Sequence, residues 1–303
     1  MNLSQETLGQ LAALGTALCW GFNAILFTDA GKRVGSDTVT HVRLWMAIIL
    51  LGFVHLLFFG TIFPWDASLS QLFWLGLSGA VGFVLGDLFL FEAFVLIGTT
   101  PSLVVKTFAP AMSAILGFLF LNETLTLWQL FAILLTLLGI LIVVLSRDKM
   151  SFSQRHAPSV FWKGVFYAFL GAVGQAVGVV LSKQGLEGGF SPISATLIRV
   201  AFATVLMFGI VVIRGRFISH ILAFRNRRGI LSIAGGTVLG PVVGVSLSLY
   251  ALQRTSVGVA STLMEMSPIV VLFVSVFLLK QRSTWREWTG TLIAVLGATA
   301  QFL

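Results

Sequence analysis

The chain has 303 residues, of which 57% are hydrophobic and only 10% are charged. Soluble domains are about a quarter charged, so this composition excludes an ordinary soluble protein. The net charge of +8 would suit a nucleic-acid partner, but the basic residues fall between apolar segments, where membrane proteins carry them to set topology. We therefore expect no nucleic acid among the partners.

Ten apolar segments follow one another along the chain, each near the length of about 20 residues that a membrane-spanning helix needs. Short connections join them, so the sequence predicts an all-α integral membrane protein with ten transmembrane helices and no separate soluble domain. The predicted spans are 9–28, 39–63, 70–92, 99–121, 126–146, 160–182, 192–213, 229–252, 257–279 and 286–303.

The first predicted span is preceded by MNLSQETLGQ, which has no basic segment and no small-residue cleavage site. We expect this span to be retained as the insertion signal. Cys19 is the only cysteine of the sequence. A single cysteine excludes an intramolecular disulfide and leaves the redox compartment open.

Lys and Arg residues are divided unequally between the two faces of the ten-span arrangement. Loops after odd-numbered spans hold most of them, and the other face holds only Lys183 and Arg254. By the positive-inside rule, the basic face is cytoplasmic, so both termini are predicted to lie outside a bacterial-type inner (plasma) membrane. The basic face carries Lys32, Arg33, Arg147, Lys149, Arg155, Lys163, Arg214, Arg216, Arg225, Arg227, Arg228, Lys280, Arg282 and Arg286.

The two halves of the chain repeat each other at a shift of 158 positions. A unit with an odd number of spans inserts upside down relative to its copy, an arrangement typical of secondary transporters that hold substrate between the halves. The sequence therefore predicts two inverted five-helix repeats, 1–150 and 158–303. The mates are Gly82 and Gly240, Gly86 and Gly244, Pro110 and Pro268, and Gly139 and Gly297, with Arg43 and Arg199 as mates at a shift of 156.

On these residues, the chain resembles the drug/metabolite transporter superfamily, specifically proteins with two EamA-type domains, over essentially its whole length. It departs from the family pattern at Lys280 and Gln281, where such domains usually carry Gly-Glu, and its charge bias is opposite to that of many relatives. The segments that carry the resemblance are ALCWGFNA (17–24), Arg43, GDLFLFEAFVLIGTTPSLV (86–104), FAPAMSAILGFLFLNETLT (108–126) and GVSLSLYALQRTSVGVASTLMEMSPIVVLFVSVFLLKQRST (244–284).

The resemblance implies a central cavity surrounded by spans one to four and six to nine, with spans five and ten at the periphery. It also implies a secondary active transporter, in the exporting direction, for amino-acid-like solutes, carboxylates or drugs. The driving force would be proton exchange or the solute gradient. The expected partners are a small-molecule substrate and membrane lipid, and a homodimer is left open.

Three other functions are the alternatives: a lipid or polyprenyl-linked flippase, an intramembrane enzyme and a membrane scaffold. The sequence has no G-x-x-x-x-G-K-[ST] pattern for nucleotide hydrolysis and no H-E-x-x-H or G-x-S-x-G pattern for catalysis. We therefore predict no enzyme activity, no cofactor and no metal site.

Charged side chains inside the spans are the first site candidates, because a charge at the bilayer centre costs about 2.5–3.5 kcal/mol on insertion scales. Lys106 is at helical spacing from Thr99, Ser102 and Pro110, which predicts a polar stripe that lines the cavity. Two interpretations of Lys106 are open, a cationic contact for substrate and half of a structural ion pair.

Glu265 lies three residues before Pro268. Its depth, estimated along a continuous helix, places it across the midplane from Lys106, and we expect the two charges to meet different faces during alternating access. Glu265 and Asp87 are the proton-coupling candidates, since a buried carboxyl group can hold a proton near neutral pH. Asp87 is also a candidate partner for Lys106.

The remaining candidates shape the cavity. From the resemblance, Trp20 and Asn23 are expected to contact substrate. Arg43 and Arg199 are expected to bond carbonyls or a carboxylate and so to fix their helices, and an anion-binding role is the alternative. Small residues let helices approach closely and prolines break them, which is the role predicted for Gly82, Gly86, Gly240, Gly244, Pro110 and Pro268.

Overall fold

Helices make up the architecture of the chain. The computed structural model describes residues 4–97, 102, 105–147, 158–278, 280 and 283–302, and within these ranges there is no strand. The first half contains α1 (Gln5–Val34), α2 (Ser36–Phe59), α3 (Leu69–Gly79), a π-helical segment (Ala80–Gly86), α4 (Asp87–Ile97), α5 (Ala109–Leu121) and α6 (Leu127–Arg147). The second half contains α7 (Pro158–Gly185), α8 (Pro192–Ile213), α9 (Phe217–Leu222), α10 (Arg227–Thr237), a π-helical segment (Val238–Gly244), α11 (Val245–Leu252), α12 (Val257–Met264), α13 (Ser267–Phe273), a π-helical segment (Val274–Leu278) and α14 (Trp285–Ala300).

Eight helical stretches of the described chain are long and apolar enough to cross a membrane, which confirms an all-helical integral membrane protein. The predicted fourth span lies partly outside the described residues, and its described helix, α5, has 13 residues. At the predicted tenth span, α14 has 16 residues. The count of ten spans stays a prediction. The eight stretches are Gln5–Val34, Asp37–Phe59, Leu69–Leu90, Leu127–Ser146, Ser159–Gly185, Pro192–Ile213, Arg227–Leu252 and Val257–Leu278.

The shift of 158 recurs in the backbone. It carries the π-helical segment Ala80–Gly86 onto Val238–Gly244. It also carries the start of α5 at Ala109 onto the start of α13 at Ser267, each followed at once by a proline. Proline suits the first turn of a helix and cannot continue one, so both spans are broken before these positions.

Two smaller features follow the same shift. Asn122 and Lys280 have φ of 53° and 51°, and among the described residues they are the non-glycine positions with positive φ. They end equivalent helical stretches, and a capping box follows each of them. Thr126 and Gln129 exchange hydrogen bonds of 3.0 and 3.1 Å before α6, and Thr284 and Glu287 do so before α14. The duplication therefore extends from sequence to backbone conformation.

Glycines set the closest helix crossings, but differently in the two halves. In the first, α3–α4 packs backbone to backbone on α7, because a Cβ on Gly174 would lie 2.9 Å from Cα of Gly86. The mate of Gly86, Gly244, instead faces a side chain: a Cβ there would lie 2.8 Å from Nε1 of Trp20. A Cβ on Gly240 would lie 2.1 Å from Nδ2 of Asn23. Gly240 and Gly244 therefore make room for these two side chains of α1.

The helices α6 and α14 pack mainly on each other. A Cβ on Gly139 would lie 2.3 Å from the backbone nitrogen of Ala294, so the two backbones touch. Nearby, Nε2 of Gln10 donates to the carbonyl of Gln301 at 2.8 Å. The two ends of the described chain therefore lie close together.

Candidate functional site

A cavity of about 580 Å³ lies between the two halves of the chain. Aromatic rings of Trp20, Phe27 and Phe83 line it together with charged and amide side chains. It extends to Thr28 and Lys32 near the end of α1, which we call the mouth. The polar lining residues away from the mouth include Asn23, Arg43, Asp87, Lys106 and Gln175.

Asp87 is bonded from two helices. Arg43 of α2 donates to its Oδ2 in an ion pair, and Nε2 of Gln175 on α7 donates to its Oδ1 at 3.0 Å. The guanidinium of Arg43 also lies 5.6 Å from the ring centroid of Phe27. Arg43 thus bonds a carboxylate, one of the two kinds of partner expected for it. The direct partner of Asp87 is Arg43 and not Lys106.

Lys106 and Glu265 form an ion pair, with 2.5 Å between Nζ and Oε1. The expectation that they lie apart across the midplane is wrong for this conformation. The depth estimate assumed continuous helices, whereas α12 ends at Met264 and the chain turns at Glu265 before α13 begins. The first half turns at Thr107 and Phe108. Both charges therefore lie at helix breaks, and the breaks bring them together.

Arg199 is bonded differently from its mate. Its side chain is buried, with 6% of the residue exposed, and its guanidinium lies 4.6 Å from the ring centroid of Phe83. It makes no hydrogen bond or ion pair with any residue that the structure describes, and its Nε is buried without a partner. Among the described residues no carbonyl or carboxylate is bonded to Arg199, and the position equivalent to Asp87 is Val245.

A polar network closes the far end of the molecule, which we call the closed end. Lys183 of α7 pairs with Oε1 of Glu123, just after α5, and donates to the carbonyl of Thr255 at 2.7 Å. Oε2 of Glu123 accepts from the backbone N–H of Val257 at 2.7 Å, at the start of α12. Sequence reasoning noted Glu123 only within a family motif. The signal available in the sequence was the negative charge of Glu123, opposite to that of Lys183. Lys183 is one of two basic residues on that face.

The mouth and the closed end lie at opposite ends of α1. Gln5 and Arg254 lie at the closed end and are joined by a hydrogen bond of 3.0 Å, whereas Lys32 lies at the mouth. The 30 residues of α1 span about 45 Å at 1.5 Å per residue. A surface pocket beside the mouth contains Arg33, Arg225, Arg227 and Arg228. The basic residues thus cluster at the mouth, as the charge count implies for loops after odd-numbered spans.

Other candidates lie elsewhere. Ser102 is fully buried and is not among the residues that line the cavity, and Thr99 lies outside the described residues. Gly82 and Gly86 lie against Gly178 and Gly174 at the crossing of α3–α4 with α7. Within the described ranges, no group of three or more His, Cys, Asp or Glu side chains could hold a metal ion.

Comparisons with known proteins assign the class. The fold and the cavity belong to a multi-pass membrane transporter, and the chain belongs to the EamA-like transporter family, whose pattern matches residues 7–145 and 162–302. An uncharacterized transporter of Archaeoglobus fulgidus is 23% identical over 288 residues, covering 94% of this chain and 95% of the relative. One solved crystal structure is 17% identical and superposes with a TM-score of 0.71 over 96% of this chain and 95% of its own, which shows a shared fold.

Proposed function

We propose that this protein is a secondary active transporter that exports small organic solutes by alternating access between two inverted five-helix halves. The observation that carries the proposal is the cavity between the halves, open beside Lys32 and closed at the other end by Glu123 and Lys183. Alternating access requires a site reached from one side at a time.

The directions of the repeat mates support the inversion. Gln5 at the start of α1 and Glu187 just after the end of α7 line the same surface pocket at the closed end. Because α1 and α7 are mates, the equivalent helices run in opposite directions. A unit of five spans produces this arrangement.

The charge distribution supports a mouth that faces the cytoplasm, the side from which an exported solute is loaded. Basic residues cluster at the mouth, and the positive-inside rule assigns such a face to the cytoplasm. In this conformation the cavity would load from the cytoplasm and release at the closed end after a conformational change. With Gln5 at the closed end, the same rule places the N-terminus outside, and the C-terminal Gln301 lies nearby.

The cavity suits an organic solute of metabolite size. Its volume of about 580 Å³ falls in the range of about 300–1,000 Å³ typical of small-molecule sites. Aromatic walls would contact the apolar part of the solute, with Trp20 and Asn23 held in place against Gly244 and Gly240. Proton coupling would use Glu265 or Asp87. Each carboxylate would release its ion-pair partner, Lys106 or Arg43, and take up a proton.

The test is transport by the purified protein in liposomes. Amino acids, carboxylates and cationic drugs that raise the melting temperature are then tested as labelled solutes for saturable counterflow. The Glu265→Gln variant is expected to keep counterflow and to lose its pH dependence if Glu265 carries the proton. Scrambling of dye-labelled lipid without solute counterflow would support the flippase instead and contradict the proposal.

A further inference from the structure

Positive charge exceeds negative charge among the buried and partly buried charged groups around the cavity. Arg43 is paired with Asp87 and Lys106 with Glu265. Arg199 has no partner among the residues that the structure describes, and its Nε is orphaned. An unneutralised charge inside a membrane protein is costly and marks a functional position. The cavity region therefore lacks one negative charge.

The repeat shows where that charge is absent. Arg43 and Arg199 are mates, and the position equivalent to Asp87 is Val245. Val245 is 4% exposed and lines the cavity. The second half has thus kept the cation and replaced its carboxylate by an apolar side chain, so no described residue of the chain supplies the counter-charge.

Arg199 lies one side chain away from the cavity. Its guanidinium is 4.6 Å from the ring centroid of Phe83, and Phe83 and the adjacent Val200 both line the cavity. Beside the guanidinium is Gly82, where even a Cβ would lie 3.6 Å from Nη2. Rotation of the Phe83 ring would therefore expose the guanidinium to the cavity.

We propose that Arg199 binds the carboxylate of an organic acid, which supplies to Arg199 the negative charge that Asp87 supplies to Arg43. A guanidinium presents a planar pair of donors that matches the two oxygens of a carboxylate. The apolar part of the acid lies against the rings of Trp20 and Phe27. This inference rests on the proposed transport function and narrows its substrate to organic anions, read by Arg199 and not by Lys106.

The first test measures thermal stability of the full-length protein in detergent at constant ionic strength. Benzoate is expected to raise the melting temperature with a saturable dependence, whereas benzamide, which has the same shape and no charge, has little effect. Phenyl phosphate separates a carboxylate site from a phosphate site. In Arg199→Met, the apparent affinity for benzoate is expected to fall about 10–100-fold, as for the loss of a charged hydrogen-bond pair.

Two matched variants make the result specific. Lys163→Met also removes a cation that lies over an aromatic ring, here Tyr167 at 5.6 Å, but outside the cavity, and should leave benzoate binding unchanged. Val245→Asp places a carboxylate at the position equivalent to Asp87. This variant is expected to fold and to lose benzoate binding, because Arg199 is then neutralised by the protein itself.

The proposal is overturned if benzoate does not stabilise the wild type, or if Arg199→Met or Val245→Asp binds it as tightly as the wild type does. Stronger stabilisation by phenyl phosphate than by benzoate would overturn the assignment to carboxylates. Arg199→Met should retain or gain thermal stability without benzoate, because an unpaired buried charge is removed. Counterflow of a neutral or cationic solute, undiminished in Arg199→Met, would contradict this inference and leave the transport function intact.

Discussion

Each buried acid beside the cavity is held by a cation, and the two ion pairs differ in what they connect. Arg43 and Asp87 both belong to the first half, so this pair ties α2 to α4 within one unit. Lys106 belongs to the first half and Glu265 to the second. A movement of one half against the other must shift or break the second pair, whereas the first can move as part of a rigid unit.

Removal of one partner from Lys106–Glu265 should destabilise the protein more than removal of both. Lys106→Met leaves a partly buried carboxylate without its cation, at a cost below that of a fully buried pair, which is about 3–5 kcal/mol, whereas a double apolar replacement is often close to neutral. Denaturation of Lys106→Met, Glu265→Leu and the double variant measures the coupling.

The exposed pair of Arg33 and Asp29 is the control for this coupling, and Arg33→Met should change stability far less because water screens its partner. A loss in the double variant equal to the sum of the losses in the two single variants would show that the buried pair is not coupled.

A histidine contact between α9 and the start of α2 should make stability depend on pH. His220 of α9 meets His41 of α2, with 3.0 Å between their Nδ1 atoms. Burial lowers the pKa of His220, while Asp37 raises it and Arg216 lowers it. The unfolded chain takes up this proton below pH about 6.5 and the folded chain only at lower pH, so stability is lost as pH falls from about 6.5.

The pH dependence can be measured by melting curves between pH 8 and about 5, the range in which histidine titrates. In His220→Asn, which removes the titrating group, the fall in melting temperature should be smaller than in the wild type. His41 accepts a hydrogen bond of 3.0 Å from Trp45 through Nε2, and therefore has only Nδ1 left for His220. An unchanged slope in the variant would assign the dependence to other groups.

At the scale of helices, the duplication could be predicted from the sequence, but the contacts between the two repeats could not. Repeated glycines and prolines gave the shift of 158, and the π-helical segments and helix starts follow it. The depth estimate for Glu265 failed because it treated a broken span as continuous. The sequence named Arg199 as an intramembrane charge but did not predict its lack of a partner: its mate Arg43 has a carboxylate, and only the replacement of Asp87 by Val245 signals the difference.

Backbone contact between α3 and α8 should make one glycine irreplaceable. A Cβ on Gly79 would lie 2.2 Å from the carbonyl oxygen of Arg199, and neither backbone can move without moving its helix. Gly79→Ala is expected to cost about 1–3 kcal/mol or to prevent folding.

Gly209 on α8 has nothing within 4 Å of its Cβ position, so Gly209→Ala should gain up to about 1 kcal/mol of helix stability. Melting curves of the two alanine variants in detergent compare the sites. Similar melting temperatures would contradict the packing assigned to Gly79.

We expect an ion pair to close the mouth, as Glu123 and Lys183 close the other end. The signs of the two charges would be exchanged between the halves. Gly31 and Gly185 are mates at a shift of 154, which also makes Asp29 the mate of Lys183, and Lys280 is the mate of Asn122, beside Glu123. In this open conformation Asp29 instead bonds Arg33 and Ser232. When the mouth closes, Asp29 and Lys280 are expected to approach each other.

Cysteines at positions 29 and 280, in a variant without Cys19, test this approach by disulfide cross-linking. The additional change Glu123→Gln weakens the closed end and should increase the yield. Single-cysteine variants give the background. Absence of cross-linking in a protein that still performs counterflow would contradict closure at these positions.

At the scale of the whole molecule, a cavity reached through the mouth gives the protein a sidedness that thiol labelling can measure. In a variant without Cys19, Thr28→Cys at the mouth should react with an impermeant maleimide only from the cytoplasmic side. Glu187→Cys at the closed end should react only from the outside. The opposite pattern would reverse the orientation inferred from the positive-inside rule.

The unequal glycine crossings have a consequence for assembly. A duplicated chain risks mispairing, because α1 resembles α7 and each half offers it a similar partner. If α1 took the place of α7 beside Gly86, the indole of Trp20 would overlap backbone, since even a Cβ at Gly174 lies 2.9 Å from Cα of Gly86. If α7 took the place of α1 beside Gly244, the absence of a side chain at Gly174 would leave a void. Both exchanges are disfavoured. The difference between Trp20 and Gly174, which occupy equivalent positions in the two halves, therefore favours the correct order of helices during folding.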